Sequence, residues 1–261
     1  MKKLFLIYNY IIYRFKSTDE HGVHSPFVFD LLTNVIYNKT EYYVYKEVES
    51  LREKLKHSPE TVHCIDLGAG SHLSKSNTRT VKQLIDYSVK PAKYSQLLFR
   101  LANHFQPAKI IELGTSIGIT ATYIAKANTK ANVITIEGCP EIAAIALQNF
   151  NTLSINNIQQ HIGNFDELLP AILSKTETLD FIFFDGNHRK APTLNYFNQC
   201  LQKAKEDTVF IFDDIYWSKE MKEAWLEIKN NPQVTITIDL FFLGIVFFRK
   251  EQAKQNFVLK F

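Results

Sequence analysis

At 261 residues, with 46% hydrophobic and 22% charged residues, the chain has the composition of a globular protein long enough to bury a substantial core. The net charge of +3 comes from 30 basic and 27 acidic residues spread along the sequence, so composition alone points to neither a nucleic-acid groove nor a membrane surface. The three cysteines, Cys64, Cys139 and Cys200, lie far apart with no C-x-x-C spacing, which argues against a zinc site or a disulfide framework and suits a reducing, cytoplasmic setting.

The chain opens with "MKKLFLIYNYIIYRFK", whose basic head and apolar stretch superficially suggest a signal peptide. Asn9 interrupts the stretch, Arg14 and Lys16 follow it, and no small-residue cleavage site appears; it is also too short to span a bilayer. An amphipathic docking helix is expected, with a peripheral membrane contact as the minority reading and no stable insertion. Residues 1–90 lack a strand–helix rhythm and read as a mostly helical cap or substrate lid. In "HSPFVFDLLTNVIY" Ser25 can cap a helix with Pro26 in its first position, after which Phe27, Leu31, Leu32 and Ile36 share a face. "YKEVESLREKLKHS" has the pattern of an exposed helix, and "HLSKSNTRT" reads as a loop.

From Pro91 to residue 261 helices and strands alternate regularly, the signature of a parallel sheet covered by helices. The expected strands are "KIIEL", "NVITIE", a run near "IQQHIG", "LDFIFFD" and "TVFIFDD", with helical segments between them. Two last runs, "VTITIDL" and "LGIVFFRK", are linked so tightly that they must form an antiparallel hairpin.

Two glycine loops compete for a nucleotide-bearing cofactor: "CIDLGAGSH" and "IIELGTSIGIT". Such a loop needs an acidic residue about 20 positions later to receive ribose hydroxyls. After the first loop that residue is Asp86, inside a segment that does not end a buried strand. After the second it is Glu137, which terminates the apolar run "NVITIE", so the second loop is preferred. "GAGS" then reads as a tight turn or as part of a substrate lid. Gly114 and Gly118 enclose Thr115, Ser116 and Ile117 without a Gly-x-Gly, which does not suit a pyrophosphate. Glu112 ahead of the loop would repel phosphate and attract a cationic aminoacyl group, favouring S-adenosylmethionine over NAD.

Taken together, "ELGTSIG", "TIEGCPEIAAIA", "GNFDELLP", "FFDGNH", "FDDIYW" and the closing hairpin resemble the class I S-adenosylmethionine-dependent methyltransferases, in particular the catechol and caffeoyl-CoA type O-methyltransferases. The likeness covers about Pro91 to Lys250. It implies a Rossmann-like α/β fold with a seven-stranded sheet whose last strand alone is antiparallel. It also implies cofactor contacts from Glu112, Gly114, Ser116 and Gly118, ribose binding by Glu137 beside Gly138, and an adenine site flanked by Gly163, Asn164 and Phe165. The N-terminal "HGVHSPFVFD" resembles the leader of bacterial methyltransferases of this kind, which supplies no substrate.

Asp185 and the pair Asp213–Asp214 end neighbouring strands in this fold, so three carboxylates form a candidate site for Mg²⁺ or another divalent cation. The competing reading is that Asp185 contacts cofactor and the pair caps the next segment. His188 stands where catechol-type enzymes carry a lysine proposed as general base; it reads either as that base or as a loop histidine. Tyr216 and Trp217 read as a pocket wall or as packing. His21 and His24 are better explained as a turn before a capped helix than as metal ligands. The expected activity is O-methylation of a small hydroxylated acceptor, aromatic ones included. Rival readings are a tRNA methyltransferase, a non-catalytic cofactor-binding module and, less favoured, a dehydrogenase. No DNA partner is expected, RNA is not favoured, and a homodimer is suggested by relatives alone.

Overall fold

The computed structural model describes residues 2–63, 78–250 and 252–261. The chain begins with α1 (Lys2–Lys16) and a short 3₁₀ turn, Glu20–Gly22. Helix α2 (Pro26–Leu31) starts as the sequence suggests: Ser25 Oγ accepts a hydrogen bond from Val28 N, and Pro26 occupies a position where no donor is needed. It runs on as a π-turn, Leu32–Ile36, and α3 (Tyr43–Lys56) follows. Strands β1 (Thr61–His63) and β2 (Thr78–Thr80) pair antiparallel. This corrects the reading of "HLSKSNTRT" at its end. Thr78–Thr80 is a strand because β-branched residues there pair with distant Thr61–His63, a non-local contact that local polarity conceals. The Gly-Ala-Gly-Ser turn lies outside the described residues.

Helix α4 (Val81–Tyr87) carries a reciprocal capping box between Thr80 and Gln83, and α5 (Ala92–Phe105) leads into the alternating part. There follow β3 (Lys109–Leu113), α6 (Ile119–Ala127), β4 (Asn132–Glu137), α7 (Pro140–Thr152), β5 (Ile158–Ile162) and α8 (Phe165–Ser174). Next come β6 (Leu179–Phe184), α9 (Lys190–Leu201), β7 (Ala204–Asp213), α10 (Lys219–Asn230), β8 (Ile236–Asp239), β9 (Leu243–Phe247) and β10 (Gln255–Val258).

Strand order in the main sheet is β10-β8-β9-β7-β6-β3-β4-β5. β9 runs antiparallel to both β7 and β8, as the tight link from "VTITIDL" requires. Among the described residues the sheet has eight strands rather than seven, because Gln255–Val258 adds β10 in parallel beside β8. The exposed edge-strand residues of β10 alternate too weakly to mark it in the sequence.

The chain forms two compact units, Met1–Tyr37 with Leu169–Phe261, and Asn38–Leu168. In the second unit Ile110, Ile111, Leu113, Val133 and Ile136 are buried on β3 and β4, and Leu97, Leu98 and Leu101 on α5. Helix α3 is tied to α6 by Tyr123 Oη donating to Glu49 at 2.9 Å and by Lys126 with Glu47 at 2.8 Å. In the first unit the core is aromatic, with Phe181, Phe183, Phe210, Phe212 and Trp225 buried. The start and end of the chain meet there: Tyr13 Oη donates to Leu259 O, Thr18 bridges Leu259, and Lys260 pairs with Asp19 at 2.8 Å.

Candidate active site

Within Asn38–Leu168, the turn after β3 is forced by its glycines. Gly114 has φ 105°, Ser116 48° and Gly118 81°, so the chain repeatedly enters the region that L-residues avoid. Gly114 N and Thr115 N both donate to Ile136 O, at 3.0 and 3.2 Å, drawing the turn across the end of β4. A Cβ at Gly118 would sit 2.5 Å from Phe150 Cε1, and Asn149 Nδ2 donates to Ile117 O at 2.8 Å. Helix α7 therefore forms the floor on which the turn rests.

Glu112, one residue before the end of β3, is fully buried. Its Oε2 accepts from Thr135 Oγ1 at 2.6 Å, and Thr135 Oγ1 lies 2.6 Å from Thr115 Oγ1. Oε1 has no partner, nor has the buried Oγ of Ser116. Burial first, and the charge of Glu137 second, push the Glu112 carboxyl up to about 8 against the opposing Thr135 bond. Burial thus favours the neutral form of the Glu112 carboxyl. Buried polar atoms without partners are uncommon in folded proteins and are what a site for a polar ligand leaves behind when empty of it. The supporting role of Thr135 went unread in the sequence; its signal is a hydroxyl inside the apolar run "NVITIE", on the same strand face as Glu137.

Glu137 ends β4. Its Oε2 accepts from Ser116 N at 2.8 Å and its Oε1 from Cys139 N at 3.0 Å, while its carbonyl accepts from Gly163 N at 2.9 Å. These bonds draw Gly138 and the turn Gly163-Asn164-Phe165 to the carboxyl ends of β3, β4 and β5, beside Gly114, Ser116 and Gly118. Asn164 Oδ1 accepts from Asp166 N at 3.0 Å, closing a turn into α8.

A second cluster lies in the other unit. Parallel β6 and β7 place Phe184 opposite Phe212, and the two rings stack at 4.3 Å and 5°. The next residues, Asp185 just past β6 and Asp213 as the last of β7, consequently lie side by side. His188 Nε2 lies 3.7 Å from Asp185 Oδ1, and one ligating atom each from Asp185, His188 and Asp213 falls within 4.8 Å of the others. Asn187, at φ 53°, turns this loop, and its Nδ2 donates to Tyr196 Oη at 3.1 Å. Asp214 is not in this group: at φ 51° its backbone N donates to Phe242 O at 2.7 Å. The gathered donors are thus two carboxylates and an imidazole. That mixed set suits a divalent cation such as Mn²⁺ or Zn²⁺ better than Mg²⁺, which favours oxygen alone.

Tyr216 belongs to the packing. Its hydroxyl donates to Asp239 Oδ2 at 2.7 Å, its ring stacks on Phe241 at 5.1 Å, and burial pushes its pKa up. Trp217 is exposed. His21 and His24 are exposed too, and neither joins a metal-competent group among the described residues.

Residues 111–215 match a family model described as a methyltransferase domain. The chain is 29% identical over 111 residues to O-methyltransferase imqG of Aspergillus flavus, spanning 40% of this chain and 44% of that protein. It is 26% identical over 130 residues to catechol O-methyltransferase of Bos taurus, spanning 48% and 47%. It is 28% identical over 107 residues to a tRNA (guanine-N(7)-)-methyltransferase of Mycoplasma mobile, spanning 41% and 50%. The chain spans about half the length of the curated relatives it matches. In fold it is similar to the Podospora anserina methyltransferase PaMTH1, solved with S-adenosylhomocysteine: TM-score 0.62, 12% identity, 87% of this chain and 98% of that one.

Proposed function

We propose that this chain, whose residues 111–215 match a methyltransferase domain, transfers the methyl group of S-adenosylmethionine to a hydroxyl oxygen of a small acceptor. The observation that carries the reading is the Gly114–Gly118 turn with the partnerless Glu112 Oε1 and Ser116 Oγ beside it. These residues fit a ligand that brings both a cationic amine and sugar hydroxyls. Glu112 would take the ammonium group, ionising as it does so; Glu137, at the end of β4, would accept from the ribose hydroxyls; Gly138 and Gly163-Asn164-Phe165 would bound the adenine.

The cofactor supplies an electrophilic methyl carbon on a sulfonium. The chain's own task is alignment and removal of one proton. We assign that proton to His188: with Nε2 turned toward Asp185, Nδ1 is the nitrogen that receives it from the acceptor hydroxyl, and Asp185 stabilises the imidazolium that forms. The C–O bond forms as the C–S bond breaks, so the positive charge passes from sulfur to His188. If a cation is resident, Asp185, His188 and Asp213 would hold it, and its contribution would be to polarise the acceptor oxygen. The oxygen specificity draws support from the likeness to two O-methyltransferases. Likeness to a tRNA methyltransferase favours RNA as the second reading.

Incubating the protein with isotope-labelled cofactor and cell extract, with and without chelator, followed by mass spectrometry, tests the proposal. Label on a small hydroxylated molecule is expected; label on tRNA selects the second reading; cofactor binding without any transfer identifies a non-catalytic module. Loss of transfer with chelator assigns the Asp–His cluster to a metal, and retention assigns it to the base.

A further inference from the structure

Helix α1 turns apolar side chains outward as well as inward. Buried Asn9 faces inward, where its Oδ1 accepts from Lys222 Nζ at 2.7 Å and its Nδ2 donates to Phe5 O. On the same side Tyr13 is buried and stands with Tyr10 against Phe241, at 5.4 and 5.0 Å between rings. The outward residues are Leu4 (71% exposed), Ile7 (56%), Tyr8 (62%), Ile11 (48%) and Phe15 (87%). At helical spacing these five fall within roughly 100° of the circumference, and Lys3 and Arg14 lie along one edge of that stripe. The helix contains no acidic residue and has Arg14 and Lys16 in its last turn. Six of the thirteen large hydrophobic residues exposed among the described ones, these five and Tyr10, are on this single helix. Such crowding exceeds the scattered apolar exposure of an ordinary surface.

We propose that α1 lies flat in the headgroup layer of an anionic bilayer, its stripe of Leu4, Ile7, Tyr8, Ile11 and Phe15 entering the acyl boundary and Lys3 and Arg14 meeting lipid phosphates. Three physical points select this occupant. At about 22 Å the helix is shorter than the roughly 30 Å hydrocarbon core, so it suits the interface and not a span. No helix among the described residues is long and apolar enough to cross. The basic edge complements anionic headgroups, whereas a second copy laid stripe to stripe would bring that uncompensated charge against itself. The buried side of α1 is fixed by Asn9–Lys222 and by the Tyr13 bond to Leu259 O, so the helix presents this face without having to fold on contact.

Co-sedimentation of the full chain with phosphatidylglycerol–phosphatidylcholine vesicles, and with phosphatidylcholine alone, tests the proposal. We expect partitioning that requires phosphatidylglycerol and weakens with salt. Lys3→Ala and Arg14→Ala should each lower it about fivefold, and the double variant Ile7→Glu/Ile11→Glu should lower it by about tenfold or more. All these positions are exposed, so circular dichroism and thermal midpoint should stay those of the parent. Absence of binding to the anionic vesicles overturns the proposal, as does binding that the double variant leaves intact. So does a dimer in light scattering that Ile11→Glu dissolves, since the stripe would then belong to a second copy.

Discussion

Glu112 makes the Gly114–Gly118 turn sensitive to pH. Its folded pKa is raised from 4.5 to about 8, so the folded protein holds a proton that the unfolded chain releases. Stability from this group is complete below about pH 4.5 and declines as pH rises through about 8. Glu112→Gln retains an acceptor for Thr135 and stays neutral, so it should melt at the same temperature as the parent near pH 4.5 and several degrees higher at pH 9, an advantage of at most a few kcal/mol. Thermal melts across that range check the sign. The same proton should leave when the cofactor's ammonium group arrives: binding near pH 7 should release a proton, seen as an enthalpy that varies with buffer ionisation heat, and Glu112→Gln should abolish the variation. Gly118→Ala places a methyl group 2.5 Å from Phe150 at φ 81°, and should cost about 1–3 kcal/mol in urea unfolding along with cofactor affinity. His188→Gln should lower kcat by about 10²–10⁴-fold and leave cofactor affinity unchanged. The glycines and Glu137 were legible because each answers a local demand, a backbone turn or a strand end. The protonation of Glu112 was not, because it follows from burial by residues distant in sequence.

At the scale of elements, the β8–β9 hairpin is organised by one carboxylate. Asp239, at the end of β8, accepts from Tyr216 Oη at 2.7 Å, Trp225 Nε1 at 3.2 Å and Phe241 N at 2.9 Å. Burial pushes its carboxyl up, and these hydrogen bonds oppose the rise. Asp239→Ala would strand three donors and should lower stability by about 3 kcal/mol or more, whereas Asp239→Asn should lose less because it keeps acceptor capacity; urea midpoints of the two separate them. Tyr216 is thereby held by a residue over twenty positions later, which is why the sequence alone left it open between a pocket wall and packing. Elements with strong local periodicity, α3 and the buried strands β3, β4, β6 and β7, were readable. β2 and β10 were not, since short strands with exposed residues exist only through their partners.

At the scale of the molecule, the order of strands and helices carried more information than any single motif. A lone acidic-x-G-x-x-x-G is weak, but its position after the first strand of a regular series, with an acid ending the next strand, selects one loop from two. The proposed cofactor turn and the Asp–His cluster sit in separate compact units, and the sequence separates them too, with residues 112–165 supplying the first and 185–213 the second. What sequence order could not give is the outward apolar face of α1, because amphipathic spacing does not say which side turns toward the core. Isothermal titration of the full chain with S-adenosylhomocysteine and, separately, with NAD addresses the central claim most directly. The account predicts saturable single-site binding of the former and none of the latter; a folded protein that gives no heat with S-adenosylhomocysteine, or that binds NAD in its place, contradicts it.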